Sequence, residues 1–357
     1  ILFGQNNDAK IKVSSIFGNN MLIQREEPML IKGTVQPHKK VSLRFDKQFK
    51  NTKSDANGNW KLLLDKMPAG GPFELVIYSE NDTILLENIL VGDVWLCAGQ
   101  SNMEFSLKHD IEYEEILNYK DHRIRLYTVD DVRKNNSTSG KWLSCDSSSS
   151  ADFSALGYYF SKYIRSEIDI PIGLIDVSKG ATSCESWISE ETLGNSKIEY
   201  VQNIFQDYMN VKEEFSVNSN NLKKWDSIRL AYNRKVREFK KGLIDNKPEL
   251  PRTPNVRKLA TASYNLYIKQ VIDFPLKGVL WYQGESNSHS IKDGKNYDKL
   301  MKLLINNWRK DWQQNDLPFY MVQLPDYQSD FLQGWKDTRI SQMKTAENTI
   351  NAHLLVT

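Results

Sequence analysis

Three short runs in this chain carry the residue types of nucleophilic catalysis with oxyanion stabilisation. The first is Gly99-Gln100-Ser101-Asn102-Met103, directly after the apolar stretch 94–98. A serine in a tight turn between a buried strand and a helix exposes its hydroxyl as a nucleophile, and the N–H groups opening the helix face a developing oxyanion. The run is not the GxSxG elbow, because position 103 is Met. Taken alone, the same serine would serve as a helix N-cap. The second run, Ser178-Lys179-Gly180-Ala181-Thr182, follows 172–177, with Glu185 and Trp187 beyond it. A glycine past a strand end lets backbone approach a ligand, so the Gly180 N–H is a second oxyanion donor; an ordinary strand-to-helix turn is the other reading. The third run, Tyr282-Gln283-Gly284-Glu285-Ser286-Asn287, follows 279–281. The Asn287 NH2 is a third donor, and the polar cluster would otherwise brace its own loop.

These runs need elements that present them together. The stretches 94–98, 172–177, 279–282, 319–324 and 354–356 are apolar without alternation, as strands buried on both faces of a parallel sheet are. Between them, Phe153, Leu156, Phe160 and Ile164 trace one face of a helix, and 297–312 predicts a second with Leu300, Leu304 and Trp308 inward. Strand and helix in alternation predict a doubly wound sheet, whose site lies beyond the carboxyl ends of the strands. Residues 11–88 read differently. Val41, Leu43 and Phe45, then Phe73, Leu75 and Ile77, alternate with polar residues, and Asn57-Gly58 is a hairpin turn. The expected organisation is a β-sandwich domain over 1–88 and an α/β domain over 89–357, with 189–260 as an insertion and Ser147–Ser150 as a loop.

Composition removes other classes. Forty-seven basic against 45 acidic residues leave a net charge of +2, without the basic footprint of a nucleic-acid binder. No stretch approaches the roughly 20 apolar residues of a membrane span. Cys97, Cys145 and Cys184 lack the CxxC spacing of zinc sites. Neither a ligand cluster nor a phosphate loop stands out, so no metal and no organic cofactor is expected. The first residue is Ile1, which fits removal of a leader.

Ser, Gly and Asn on successive strand ends resemble the block pattern of the SGNH hydrolase superfamily. The longer run from Val91-Gly92-Asp93-Val94-Trp95 through Gly99-Gln100-Ser101-Asn102-Met103-Glu104, together with Trp281-Tyr282-Gln283-Gly284-Glu285-Ser286-Asn287, is similar to the sialate O-acetylesterase family. So are Met21-Leu22-Ile23-Gln24-Arg25, Asp152-Phe153-Ser154-Ala155, Tyr264-Asn265, and Arg339 with Gln342. The resemblance implies a three-layer, flavodoxin-like α/β fold behind an N-terminal β-sandwich. It implies an exported esterase, periplasmic or secreted, that removes O-acetyl groups from sialic acid or a related glycan. Ser101 is then the nucleophile, and its own N–H, Gly180 and Asn287 hold the oxyanion. Gln100, Gln283 and Glu285 support the loops or meet the sugar, and Asp93 is structural. Deacetylation of another glycan, such as acetylated xylan, is the alternative within that chemistry, and a non-catalytic glycan-binding protein is the alternative outside it.

Two departures from the family pattern bear on that reading. Lys179-Gly180-Ala181-Thr182 stands where the family often has Trp-Gly-Gly-Thr, which alters the pocket wall. The family's Asp-x-x-His pair follows its last buried strand, and no Asp-x-x-His occurs among these residues. The resemblance therefore expects the base in a segment after Thr357. Of the five histidines here, His38, His109, His122 and His353 read as surface or strand residues. His289, two residues past Asn287, is the one candidate base within these residues.

Overall fold

Period-two alternation builds the N-terminal part. The computed structural model describes residues 10–80, 82–116, 118–129, 140–328 and 330–357; residues 1–9 of the expected first domain lie outside these. The strands are β1 (Lys12–Val13), β2 (Leu22–Gln24), β3 (Met29–Thr34), β4 (Lys40–Phe45), β5 (Gln48–Lys53), β6 (Asn59–Leu64), β7 (Gly70–Ser79) and β8 (Asp82–Gly99). An antiparallel sheet β1-β3-β6 faces a second sheet built from β5, β4, β7 and the first half of β8. Ile31, Leu62, Leu43, Phe45 and Ile77 fill the space between them.

The same β8 strand then enters a parallel sheet without a break, passing the expected boundary after residue 88. Beyond it come β9 (Asp121–Thr128), β10 (Trp142–Cys145), β11 (Ile172–Asp176), β12 (Gly278–Tyr282), β13 (Phe319–Val322) and β14 (Ala352–Leu355). Their order is β10-β9-β11-β8-β12-β13-β14, parallel throughout except at the β10 edge. Alternate β8 residues feed two cores. Trp95 and Cys97 pack with Leu174, Leu280 and Tyr158 on one side, while Leu96 and Ala98 join Ile175, Trp281 and Trp308 on the other. That explains the continuous apolar run: both faces of the strand are covered. The helix Ala155–Glu167 lies over the first face and Ile291–Trp312 over the second, giving three layers.

The stretch between β11 and β12 is helical, chiefly Glu199–Glu214 and Ser219–Lys240. One local expectation changes. Ser147–Ser150 is one helical turn, because the Asp146 carboxylate accepts from the Ser148 and Ser149 N–H groups and caps it. Among the described residues β14 pairs with β13, and Leu355 is half exposed. Among the described residues no helix is long and apolar enough to cross a membrane.

Candidate active site

The three motifs leave adjacent strands. β8 carries Ser101 and lies between β11, which leads to Gly180, and β12, which leads to Asn287. At the end of β8 the chain turns tightly against β12. Gly99 has φ +135°, and a Cβ there would lie 2.2 Å from the Tyr282 carbonyl oxygen. Only glycine meets both demands. The next N–H, of Gln100, donates to that carbonyl at 2.9 Å. Ser101 then opens the one-turn helix Ser101–Glu104, anchored by buried Met103. Gln100 occupies the N-cap position and no side chain caps the turn, so the exposed Ser101 hydroxyl is not used as a cap.

One amide ties the three motifs together. Gln283 is fully buried, and its Nε2 reaches Gln100 Oε1 at 3.1 Å, the Thr182 carbonyl at 3.0 Å and Asn287 Oδ1 at 2.9 Å. Its Oε1 accepts from the Tyr297 hydroxyl at 2.8 Å, which fixes the orientation of the amide. Gln100 Oε1 also accepts from the Ser286 N–H. Gln342 Nε2 donates to the Gln283 carbonyl while its Oε1 accepts from the Leu324 N–H. Gln100 and Gln283 are thus buried braces between strand ends.

Asn287 is oriented by the same network. Its Oδ1 accepts from the Cys184 N–H and from Gln283, so the NH2 points the other way and donates to Glu185 Oε2 at 2.9 Å. An amide nitrogen carries two hydrogens, and Glu185 takes one. Burial raises the Glu185 carboxyl above its ordinary range, against the opposing hydrogen bonds from Ser183 and Asn287.

Gly180 sits beside Ser101: a Cβ on it would lie 3.8 Å from Ser101 Cβ. The turn that carries it is held at several points. Asp176 accepts from the Ser178 N–H and hydroxyl, the Thr182 hydroxyl donates to the Lys179 carbonyl, and the Lys179 N–H donates to the Gly99 carbonyl. The Gly180 N–H is engaged, donating to Glu104 Oε2 at 2.6 Å. Buried Lys179 lies 3.5 Å from the other oxygen of that carboxylate. Glu104 is the residue that sequence reasoning passed over. Its signal was its place three residues after Ser101, on the same helical turn.

Glu285 accepts from the Asn102 amide at 2.7 Å, and burial pushes its carboxyl up to about 7. His289 has its Nε2 3.1 Å from Lys258 Nζ. Burial, then the Lys258 charge, lowers its affinity for a proton. A base that must become imidazolium is poorly served by a cation in that place. His353 is exposed on β14 and stacks on Tyr320, near the Arg25–Asp93 pair at the opposite ends of the strands. Asp93 is buried and bound to Arg25 at 2.7 Å, joining β2 to β8. Among the described residues no three His, Cys, Asp or Glu side chains cluster as metal ligands.

The chain is similar to known carbohydrate esterases. A protein-family model described as carbohydrate esterase, sialic acid-specific acetylesterase matches residues 255–356. The sialate O-acetylesterase of Mus musculus is 27% identical over 350 residues, which cover 88% of this chain and 60% of the relative. That of Homo sapiens is 25% identical over 344 residues, covering 88% and 57%. The chain thus spans about three-fifths of the length of these curated relatives. The crystal structure of a carbohydrate acetylesterase from Xanthomonas citri superposes with a TM-score of 0.74 at 26% identity, covering 97% of this chain and 68% of that one.

Proposed function

We propose that this chain, which belongs to the sialic acid-specific acetylesterase family of carbohydrate esterases, removes O-acetyl groups from sialic acid with Ser101 as nucleophile. The observation that carries this reading is the Gln283 amide, which ties the Gln100, Thr182 and Asn287 strand ends into one rim around an exposed serine. Ser101 Oγ attacks the acetyl carbonyl and yields its proton to a base. The resemblance places that base in an Asp-x-x-His pair, and the Lys258 contact of His289 argues against His289 in that role. The carbonyl oxygen becomes an oxyanion facing the N–H groups of Ser101 and Gly180 and the Asn287 amide. Collapse breaks the bond to the sugar oxygen, which leaves as an alcohol after taking up a proton. Water then hydrolyses the acetyl-serine to acetate and restores Ser101.

Acetate release from O-acetylated sialosides, measured on the full-length protein, tests the reading. Ser101→Ala abolishes it, and His289→Ala leaves it unchanged. Acetylated xylan belongs in the same panel, because Lys179 replaces the Trp that the family often has in the site wall. Faster release from xylan acetate would replace the sialate assignment and keep the esterase one. Sugar binding without any acetate release would overturn both.

A further inference from the structure

The donor expected to hold the oxyanion is already holding a carboxylate. The Gly180 N–H donates to Glu104 Oε2 at 2.6 Å, in the short range of charge-assisted bonds. Buried Lys179 secures the second oxygen from 3.5 Å. Glu104 and Ser101 are the last and first residues of one helical turn, and Gly180 lies against both. A Cβ built on it would stand 2.7 Å from Glu104 Oε2 and 3.8 Å from Ser101 Cβ. The space beside Gly180 is therefore filled by a side-chain oxygen carrying negative charge, next to the nucleophile.

The Gly180 N–H cannot easily turn away from it. Its own peptide is held by the Thr182 hydroxyl on the Lys179 carbonyl, and the flanking peptides by the Lys179 N–H on the Gly99 carbonyl at 2.9 Å and by Arg257 Nη1 on the Gly180 carbonyl at 3.2 Å. The part able to move is the Glu104 side chain, about a quarter of which is open to solvent. An oxyanion and this carboxylate want the same N–H, and one donor hydrogen serves one short charged bond at a time.

We propose that Glu104 is a resident plug of the oxyanion site. Its carboxylate occupies the Gly180 N–H in the empty enzyme, competes with any oxyanion formed at Ser101, and swings toward solvent when substrate reacts. Glu104 is on this view a gating residue that weakens capture of oxyanions and of product acetate. A fixed scaffold for the Lys179–Gly180 turn would have the opposite effect. The inference rests on the esterase reading, since it takes Ser101 as the attacking group.

Methylboronic acid on the full-length protein separates these cases. Its boron accepts the Ser101 oxygen, the serine proton passes to solvent, and the tetrahedral boronate places an oxygen where the oxyanion would lie. Calorimetric affinity is compared for the wild type, Glu104→Ala and Glu104→Gln, each with Ser101→Ala as its control. A plug predicts tighter boronate binding by about tenfold in Glu104→Ala, the factor expected when a charge-assisted competitor is removed. Glu104→Gln falls between the two, because its neutral amide oxygen still accepts from Gly180. The inhibition constant of acetate shifts in the same order. Equal or weaker boronate binding in both variants overturns the plug and makes Glu104 a scaffold. Binding that survives Ser101→Ala in every background overturns the esterase reading, and the plug with it.

Discussion

At the scale of single residues, the site is a set of hydrogen-bond donors whose direction is set by buried partners. Asn287 shows how. Its oxygen is claimed by Cys184 and Gln283, so its nitrogen has one way to face. Asn287→Ala is expected to lower kcat for acetate release by about 10²–10³-fold with a small change in KM, as loss of one oxyanion donor does. Steady-state kinetics on an acetyl ester checks this, and a loss confined to KM would remove Asn287 from the oxyanion site. Glu285 offers a test on stability. Its carboxyl ionises at about 7 in the fold, against an ordinary value of 4.5, because burial disfavours the charge. Between those values the folded protein binds more protons than the unfolded chain, so stability falls as pH rises through the window. Glu285→Gln cannot ionise and escapes that loss. The variant should therefore gain on the wild type from pH 5 to pH 8, by at most about 2–3 kcal/mol. Parallel melting curves across the range would contradict the assignment of burial as the cause. That Ser101, Gly180 and Asn287 stand at neighbouring strand ends was legible in the sequence because each follows an apolar run. Glu104 was not, because a carboxylate three residues past a serine has no role until the chain brings Gly180 to it.

At the scale of elements, the tightest constraint is the crossing of β8 and β12 at the strand ends. Two features meet at Gly99, a positive φ and a backbone carbonyl 2.2 Å from any Cβ. Neither can be relieved by moving a side chain. Gly99→Ala should cost about 3 kcal/mol or more and displace Ser101, so activity falls further than stability alone explains. Chemical denaturation paired with kcat measures both; a fully active, equally stable variant would show that the turn is looser than drawn. The parallel strands were readable because both faces are apolar, and the N-terminal strands because only one is. The serine turn misled: Ser147–Ser150 favours loops by type, yet the Asp146 carboxylate accepts the N–H groups that a helix start leaves unpartnered.

At the scale of the whole molecule, one strand belongs to both sheets. Residues 82–91 of β8 pair with β7, and residues 93–99 pair with β11 and β12. The chain changes composition near residue 88, and a change of pattern reads as a domain boundary, but the backbone crosses it unbroken. Arg25 and Gln24 then fasten β2 to the start of the parallel half through Asp93, and one continuous apolar core runs from Leu43 and Ile77 to Trp281 and Trp308. Independent unfolding would require β8 to break in its middle and expose that shared core. The two parts are therefore expected to melt as one unit. Asp93→Ala removes the partner of Arg25 and of the Gln24 amide at a buried position. With Arg25 itself partly exposed, the cost is about 2–3 kcal/mol. In scanning calorimetry that variant should shift a single transition to lower temperature, with near-ultraviolet and far-ultraviolet signals moving together. Two resolved transitions, with only the first moved by Asp93→Ala, would show that the N-terminal sheets fold apart from the α/β core. Coincident loss ties the β region to the catalytic end through the strand that ends at Gly99, so a change as remote as Asp93 would reach Ser101 along one backbone.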